Sequence, residues 1–174
     1  MQQMVELIPV NDEQLDDFIS RLKTAFTRAT LEKFPDFLGY VPAQRDIDDA
    51  LDDDNVDVLD IVHEGKSIGG AVITGGTTHK TLEFIFIDPD KQNSHLGQAA
   101  WQKIEARYPD TKIWELVTAY HEKRNIHFYV NRCGFHIVEF FNSRHPDPND
   151  PDSVQGEADD QFQDGMFRFE KRMG

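Results

Sequence analysis

Hydrophobic residues follow a helical period in four stretches of the chain, and they alternate or form short apolar runs in seven others. In the first helical stretch apolar residues recur every three or four positions from Leu15 onward, and Asn11 or Asp12 is a suitable N-terminal cap. Pro35 disfavours helical geometry at the residue before it, so this helix ends by Phe34. The pattern predicts the other helices over 43–51, 94–108 and 121–133, and strands over 5–10, 56–62, 67–74, 82–87, 112–118, 135–142 and 166–171.

The order of these elements predicts an α/β fold. Strands 56–62 and 67–74 form a hairpin about the turn Glu64-Gly65-Lys66. Strand 82–87 is almost continuously apolar, as expected when both faces of a strand are buried. After it helices and strands alternate, and a polar, acidic insert over 145–164 separates the last two strands. We expect a mixed, mostly antiparallel sheet of six to seven strands flanked by about four helices.

Length and composition indicate one ordinary globular domain. The chain has 174 residues, of which 39% are hydrophobic, and this suits a single domain over 1–174. No apolar run approaches the ~20 residues that a membrane helix needs, and the N-terminus lacks the pattern of a secretory signal. Cys133 is the single cysteine, so neither an internal disulfide nor a cysteine-rich zinc site is expected. We expect a cytoplasmic protein with no membrane association.

The net charge of −14 comes from two acidic runs. Eight acids and no Lys or Arg lie between Asp46 and Asp60, and seven acids, again without Lys or Arg, lie between His145 and Asp164. The rest of the chain is nearly neutral and shows no basic face, which argues against nucleic-acid binding. The runs either increase solubility or attract a cationic substrate.

The junction between strand 82–87 and the helix that follows it can bind an anion. The strand ends in a turn that contains Pro89, and a helix opens directly after Asn93 and Ser94. Unpaired backbone N–H groups and the helix dipole make such a junction suitable for a phosphate, and Gly97 allows close approach. The alternative is an ordinary turn in which Asn93 or Ser94 only caps the helix.

The helix predicted over 121–133 carries a second candidate. Asn125 and Tyr129 are four residues apart and so share one face. We expect Phe128 to face the core while Tyr129 points along the sheet edge. A tyrosine hydroxyl near a leaving group can act as a general acid. The alternative is that Tyr129 is an amphipathic core residue.

Two acidic residues in apolar strands are candidates for a general base. Glu83 and Glu115 both interrupt such strands, and burial of a carboxylate can suit it to accept a proton. The alternative is that each lies at a solvated strand end. His121 and His127 fall on different helix faces, so no metal site is expected.

Taken in order, these segments resemble the GNAT superfamily of acyl-CoA-dependent N-acyltransferases. The family's phosphate loop, Q/R-x-x-G-x-G/A, matches Gln92 to Gly97, and Ile87-Asp88-Pro89 resembles its usual approach. Asn125, Phe128-Tyr129 and Gly134-Phe135 match the family's later pattern of an Asn, an aromatic pair and Gly-Phe.

The resemblance implies transfer of an acetyl group from acetyl-CoA to a primary amine, by direct attack and with no metal. The acceptor would be an unidentified small-molecule or peptide amine, and the fourth and fifth strands would be parallel and splayed apart. Tyr129 would protonate the departing thiolate, and Glu83, Glu115 or water would be the base. Similar proteins are often dimers, so a homodimer is open. The implied cofactor-binding residues are Ile85, Ile87, Gln92, Asn93, Ser94, His95, Leu96, Gly97, Gln98 and Asn125.

One residue departs from the family pattern. His95 stands where the loop usually has its first glycine, and histidine adopts a positive φ less freely than glycine. We expect coenzyme A binding to survive, because backbone donors hold the phosphates. The alternative function is an acyl-CoA-binding regulatory module without transferase activity.

Overall fold

A computed structural model describes residues 4–39, 41–91, 95–142, 144–148 and 165–174, and within these ranges it contains seven strands and four α-helices. The strands are β1 Val5–Pro9, β2 Asp57–His63, β3 Lys66–Gly75, β4 His79–Ile87, β5 Ile113–Ala119, β6 His136–Phe141 and β7 Met166–Arg172. The helices are α1 Leu15–Lys33, α2 Gln44–Leu51, α3 Leu96–Arg107 and α4 Lys123–His127. The predicted α/β class is confirmed.

The chain divides into two compact units, Met1–Thr111 and Lys112–Gly174. The first contains β1 to β4 with α1, α2 and α3, and the second contains β5 to β7 with α4. The single domain expected over 1–174 stays a prediction. Apart from 145–148, the insert predicted over 145–164 lies outside the described residues.

The strands of the first unit pair in chain order, and every pair is antiparallel. The predicted hairpin joins β2 to β3 through the two residues Glu64 and Gly65, because His63 pairs with Lys66. Both turn residues have a positive φ, as the tight hairpin turn that follows the twist of the strands requires.

One face of this four-stranded sheet is covered by α1 and α2. Phe18 and Ile47 from the helices pack with Val72 and Phe86 from the strands. The Phe18 and Phe86 rings meet edge to face, with their centroids 5.5 Å apart. A Cβ atom at Gly70 would lie 2.2 Å from the Phe18 ring, so the helix reaches the sheet only because this residue is glycine.

The cap predicted for the first helix is Asn11. Its side chain accepts a hydrogen bond from the Gln14 backbone N–H, and the Gln14 side chain accepts one from the Asn11 N–H, which makes a capping box. This box opens a 3₁₀ turn over Asp12–Gln14 that leads into α1. The helix ends at Lys33, as Pro35 predicts.

In the second unit β7 pairs with both β5 and β6, and both pairs are antiparallel. Phe169 of β7 lies opposite Leu116 of β5 and Ile137 of β6, and it is fully buried with Trp114 and Phe135. Phe169, Trp114, Phe135 and Leu116 form the core of the unit, whereas Ile137 is exposed.

The helix predicted over 121–133 begins two residues later than expected, and its second half is π-helical, not α-helical. Helix α4 covers only Lys123–His127 and is followed by a π-helical turn, Phe128–Arg132. In this turn the Cys133 N–H donates to the Phe128 carbonyl at 3.0 Å, a five-residue spacing that accommodates one more residue than an α-helical turn. Gly134 then ends the helical segment with a φ of 86°, as predicted.

Candidate active site

The backbone groups of Ile85 and Ile87, near the end of β4, point away from β3. The Asp88 N–H donates to the Ile68 carbonyl of β3 at 2.7 Å. Hydrogen-bonded and non-hydrogen-bonded positions alternate along an antiparallel pair. Ile87 and Ile85, which lie opposite Gly69 and Ala71, therefore direct their backbone groups away from β3. Backbone binding by Ile85 and Ile87 stays a prediction, and this orientation is compatible with it.

The β4–α3 junction begins with a short 3₁₀ turn, Pro89–Lys91, closed by the Lys91 N–H donating to the Asp88 carbonyl at 2.8 Å. Gln92, Asn93 and Ser94 lie outside the described residues, so their predicted contacts with a diphosphate stay predictions. His95, the residue directly before α3, is exposed and adopts φ 60° and ψ 11°. His95 therefore has the left-handed backbone conformation that glycine adopts most easily, at the position where the GNAT pattern has glycine.

The first turn of α3 leaves backbone donors for an anion. The Ala99 N–H donates to the His95 carbonyl at 3.1 Å, which is the first hydrogen bond of the helix, so the N–H groups of Leu96 and Gly97 lie ahead of the helical hydrogen bonds. Leu96 is buried, which restricts its contribution to its backbone. The first turns of α1 and α2 contain aspartates, whereas the first turn of α3 contains no acid. The dipole of α3 is thus left for an external negative charge.

An ion-pair cluster ties the end of β4 to α1. The Arg21 guanidinium lies 3.4 Å from carboxylate oxygens of both Asp60 and Asp88, and 5.8 Å from the centre of the Phe86 ring. Ser67 donates a hydrogen bond to Asp60 at 2.5 Å. Since Asp88 is the residue from which the junction starts, this cluster holds the junction in place.

Glu83 lies at an irregularity of β4. The register pairs Phe84 with Val72 and Leu82 with Ile73, so Glu83 is one residue in excess. Such a β-bulge re-aims the side chain of the extra residue. Thr74 of β3 donates a hydrogen bond to Glu83 Oε1 at 2.7 Å. Glu83 is therefore a half-buried carboxylate within the sheet and not at a solvated strand end.

Tyr129 is the second residue of the π-helical turn Phe128–Arg132. It is buried, with 8% of its surface exposed. The rings of Phe128, Phe135 and Phe169 surround it edge to face, at centroid distances of 5.5 to 6.1 Å. The expectation that Phe128 faces the core while Tyr129 points along the sheet edge is wrong, because Phe128 is half-buried and Tyr129 is the core residue.

The environment of Tyr129 keeps its hydroxyl protonated. Burial raises the pKa of Tyr129 well above its usual value, and the electrostatic influence of the Cys133 and Glu122 side chains raises the pKa further. A phenol that holds its proton at neutral pH can donate that proton. Asn125, which is half-buried, lies on α4 one turn before Tyr129.

Glu115, the other candidate base, belongs to a charged network in the second unit. Arg168 bonds to Glu115 at 3.1 Å, to Glu139 at 2.8 Å and to Glu170 at 2.6 Å. His145 and Arg168 lower the pKa of Glu139 through hydrogen bonds. The Glu115 carboxylate is occupied by this ion pair with Arg168, so Glu83 is the better candidate of the two.

The sequence interpretation missed Thr74 and Arg21. Thr74 follows Gly70 and Val72 at strand spacing, so a hydroxyl on a core-facing position was a usable signal. Arg21 comes three residues after Phe18 on the apolar side of α1. A basic residue there calls for a buried acidic partner, but its identity cannot be read from spacing.

Comparison with known proteins defines the class of this chain. The model of the acetyltransferase (GNAT) family matches residues 17–135. The chain therefore belongs to the GNAT acetyltransferase family, and the resemblance seen in its motifs is confirmed.

Individual proteins resemble this chain over nearly its whole length. The chain is 41% identical over 168 residues to the uncharacterized protein YrkN of Bacillus subtilis (strain 168), covering 93% of this chain and 90% of that one. A GNAT family acetyltransferase from Elizabethkingia anophelis, solved with acetyl-CoA bound, matches with a TM-score of 0.65 at 13% identity, over 97% of this chain and 98% of that one.

A third likeness is to spermidine N-acetyltransferase from Vibrio cholerae, solved with CoA and spermine, with a TM-score of 0.64 at 11% identity over 97% of this chain and 95% of that one. At such identities the solved structures show that the fold is shared. The predicted divergence of the fourth and fifth strands stays a prediction. Within the described residues, none of the helices has the length and apolar character that crossing a membrane requires.

Proposed function

We propose that this chain transfers the acetyl group of acetyl-CoA to a primary amine by direct attack. The observation that carries the proposal is the start of α3, where backbone donors follow β4 and no acid occupies the first helical turn. A diphosphate is the kind of anion that such a helix start binds. Solved relatives hold acetyl-CoA or CoA, which supports the same co-substrate here.

The chemistry assigns one role to each candidate residue. The acceptor enters as an ammonium ion and loses a proton to Glu83, and its nitrogen then attacks the thioester carbonyl. The carbon–sulfur bond breaks, and Tyr129 donates its proton to the departing thiolate. The nitrogen loses its second proton in forming the amide, and this proton restores the Tyr129 hydroxyl. Glu83 then gives up the proton that it accepted, so one proton is released per turnover. A phenol whose pKa is raised by burial suits the acid role, because it arrives protonated.

The acceptor is an amine of small-molecule or peptide class. The two acidic runs of the sequence favour a cationic acceptor over a neutral one. Spermidine N-acetyltransferase shares the fold, which makes polyamines the first acceptors to test.

The test measures thiol release from acetyl-CoA with a panel of polyamines, aminoglycosides, amino acids and peptides. We expect the wild-type protein to release thiol with at least one amine, and Tyr129→Phe to lower kcat by about 10²-fold or more. Tyr120→Phe is the matched control, because Tyr120 is an exposed tyrosine of the same unit, and its kcat should equal that of the wild type.

Calorimetry with acetyl-CoA separates the two candidate functions. Binding heat without thiol release across the panel would assign the chain to acyl-CoA binding without transfer. The absence of both heat and turnover would overturn the proposal.

A further inference from the structure

Thr74 contacts the candidate base directly. Its hydroxyl donates to Glu83 Oε1 over 2.7 Å, which is a normal length for a charge-assisted hydrogen bond. Thr74 itself is only 4% exposed, so water competes little for this hydroxyl. The contact joins neighbouring strands of the first unit.

The bulge in β4 makes this contact possible. On β3, Thr74 pairs with Thr81 and lies on the same sheet face as Val72, two residues earlier. Glu83 has no opposite residue in the register, and the bulge turns its carboxylate to the face on which Thr74 lies. The bulge therefore lets Thr74 and Glu83 form a hydrogen bond, although the two residues are not opposite each other in the strand register.

The core on this face of the sheet is built from apolar side chains. The side chains of α1 and α2 that pack on this face are apolar, Phe26 and Leu51 among them, and so are Val56 and Val58 on the β2 side. A hydrogen bond in such surroundings has more influence on ionisation than the same bond in water.

Several charged groups of the first unit make contacts elsewhere. Asp57 and Lys80 contact Tyr108 of α3, on the other face of the sheet. Arg21 of α1, Asp60 of β2 and Asp88 form their own cluster beyond the far end of β4.

We infer that Thr74 is a positioning residue for Glu83, fixing the carboxylate at the bulge and keeping it ionised until it accepts a proton from the acceptor ammonium ion. This inference rests on the proposed function, in which Glu83 is the base. A hydrogen bond to the charged form of a carboxylate favours that form. Removal of the hydroxyl should therefore make Glu83 protonate at a higher pH.

The experiment compares Thr74→Val, which keeps the shape and loses the donor, with Thr74→Ser, which keeps the donor. Two readouts are followed against pH: kcat/KM with an active amine, and the ¹³C signal of the Glu83 carboxyl, assigned through Glu83→Gln. We expect Thr74→Val to move the acidic limb of kcat/KM and the carboxyl titration upward by about one pH unit, and Thr74→Ser to restore both.

Thr111→Val is the matched control. Thr111 is also a buried threonine of the first unit, and its hydroxyl makes no hydrogen bond within the part of the chain that the structure describes. Its replacement should leave both pH curves where they are in the wild type, whereas a general packing effect would move them as much as Thr74→Val does.

The outcomes separate this inference from the proposed function. If Thr74→Val titrates like the wild type, or if Glu83→Gln keeps the acidic limb, the inference is overturned while transfer stands. If no amine is acetylated, the proposed function fails. The role of Thr74 in the ionisation of Glu83 is tested separately, and it fails if the Glu83 carboxyl titrates at the same pH in the wild type and in Thr74→Val.

Discussion

His95 shows how one residue can depart from a family pattern at a conformational cost. It adopts φ 60° just before α3, where only glycine is free of a steric penalty. Its side chain is exposed, so packing does not repay this strain. The backbone geometry that the loop requires is therefore kept even though the residue that most easily adopts it is absent.

Replacement of His95 by glycine should stabilise the protein. We expect His95→Gly to raise the free energy of unfolding by about 1 kcal/mol, because the left-handed conformation costs a non-glycine residue roughly that amount. Urea denaturation measures the change, and His95→Ala is the control, since it keeps the Cβ atom and should bring no gain. A glycine variant no more stable than the alanine variant would show that the His95 side chain compensates for its backbone.

The positions of candidate residues were predictable where they depend on sequence order, and the predictions failed where they depend on side-chain orientation. The spacing placed Tyr129 in the last helical segment. Its burial in place of Phe128 goes with a π-helical turn, in which the Cys133 N–H donates to the Phe128 carbonyl, and no residue type marks such a turn in the sequence. Glu83 was found as an acid in an apolar strand, whereas its partner Thr74 depends on a bulge. A single extra residue reverses which face a side chain occupies, and a propensity pattern does not register it.

At the scale of elements, the end of β4 that leads into α3 is held by α1, a helix that lies far from it in the sequence. Arg21 of α1 bridges Asp60 of β2 and Asp88 of the junction, and all three side chains are about a quarter exposed. These residues are 39 and 67 positions apart, respectively, from Arg21. Such pairing over long sequence distances explains why the elements were predictable and the connection between them was not.

Loss of this bridge should loosen the junction. We expect Arg21→Met to lower the free energy of unfolding by about 1 kcal/mol, in the upper range for a partly exposed pair, and to raise the Kd of acetyl-CoA severalfold because Asp88 loses its anchor. Calorimetry and thermal unfolding measure the two effects. Arg28→Met is the control, because Arg28 is an exposed arginine of the same helix. Equal Kd values for both variants would separate the bridge from co-substrate binding.

The helices and strands themselves were accessible from local chemistry. The Asn11 cap, the end of α1 before Pro35 and the two-residue hairpin turn each depend on a few neighbouring side chains. The second unit was predicted less accurately, since α4 begins later than its pattern and gives way to a π-helical turn. Signals from neighbouring residues predict caps and regular turns well, but they do not predict the extra residue of a π-helical turn.

At the scale of the whole molecule, the net charge of −14 would act on the two proposed substrates in opposite directions. A cationic amine is attracted by the acidic protein, whereas acetyl-CoA, which carries phosphates, is repelled. Salt shortens the reach of these forces, from about 10 Å at 0.1 M to about 3 Å at 1 M. Local hydrogen bonds at the start of α3 are much less sensitive to it.

Ionic strength should therefore separate the two substrates. We expect the KM of a polyamine acceptor to rise with added salt and the KM of acetyl-CoA to fall, because screening removes attraction in the first case and repulsion in the second. Initial rates at several salt concentrations measure both. A parallel rise of the two KM values would indicate that salt acts on the fold and not on long-range attraction.

The single cysteine gives the second unit an intrinsic reporter. Cys133 follows the π-helical turn, is 3% exposed and has its carbonyl bonded to Lys171 at 2.7 Å. A thiol-reactive dye can reach its sulfur only when the packing between this turn and β7 opens. The rate of dye attachment thus counts local openings of native molecules, at one chemically unique atom and without any engineered label.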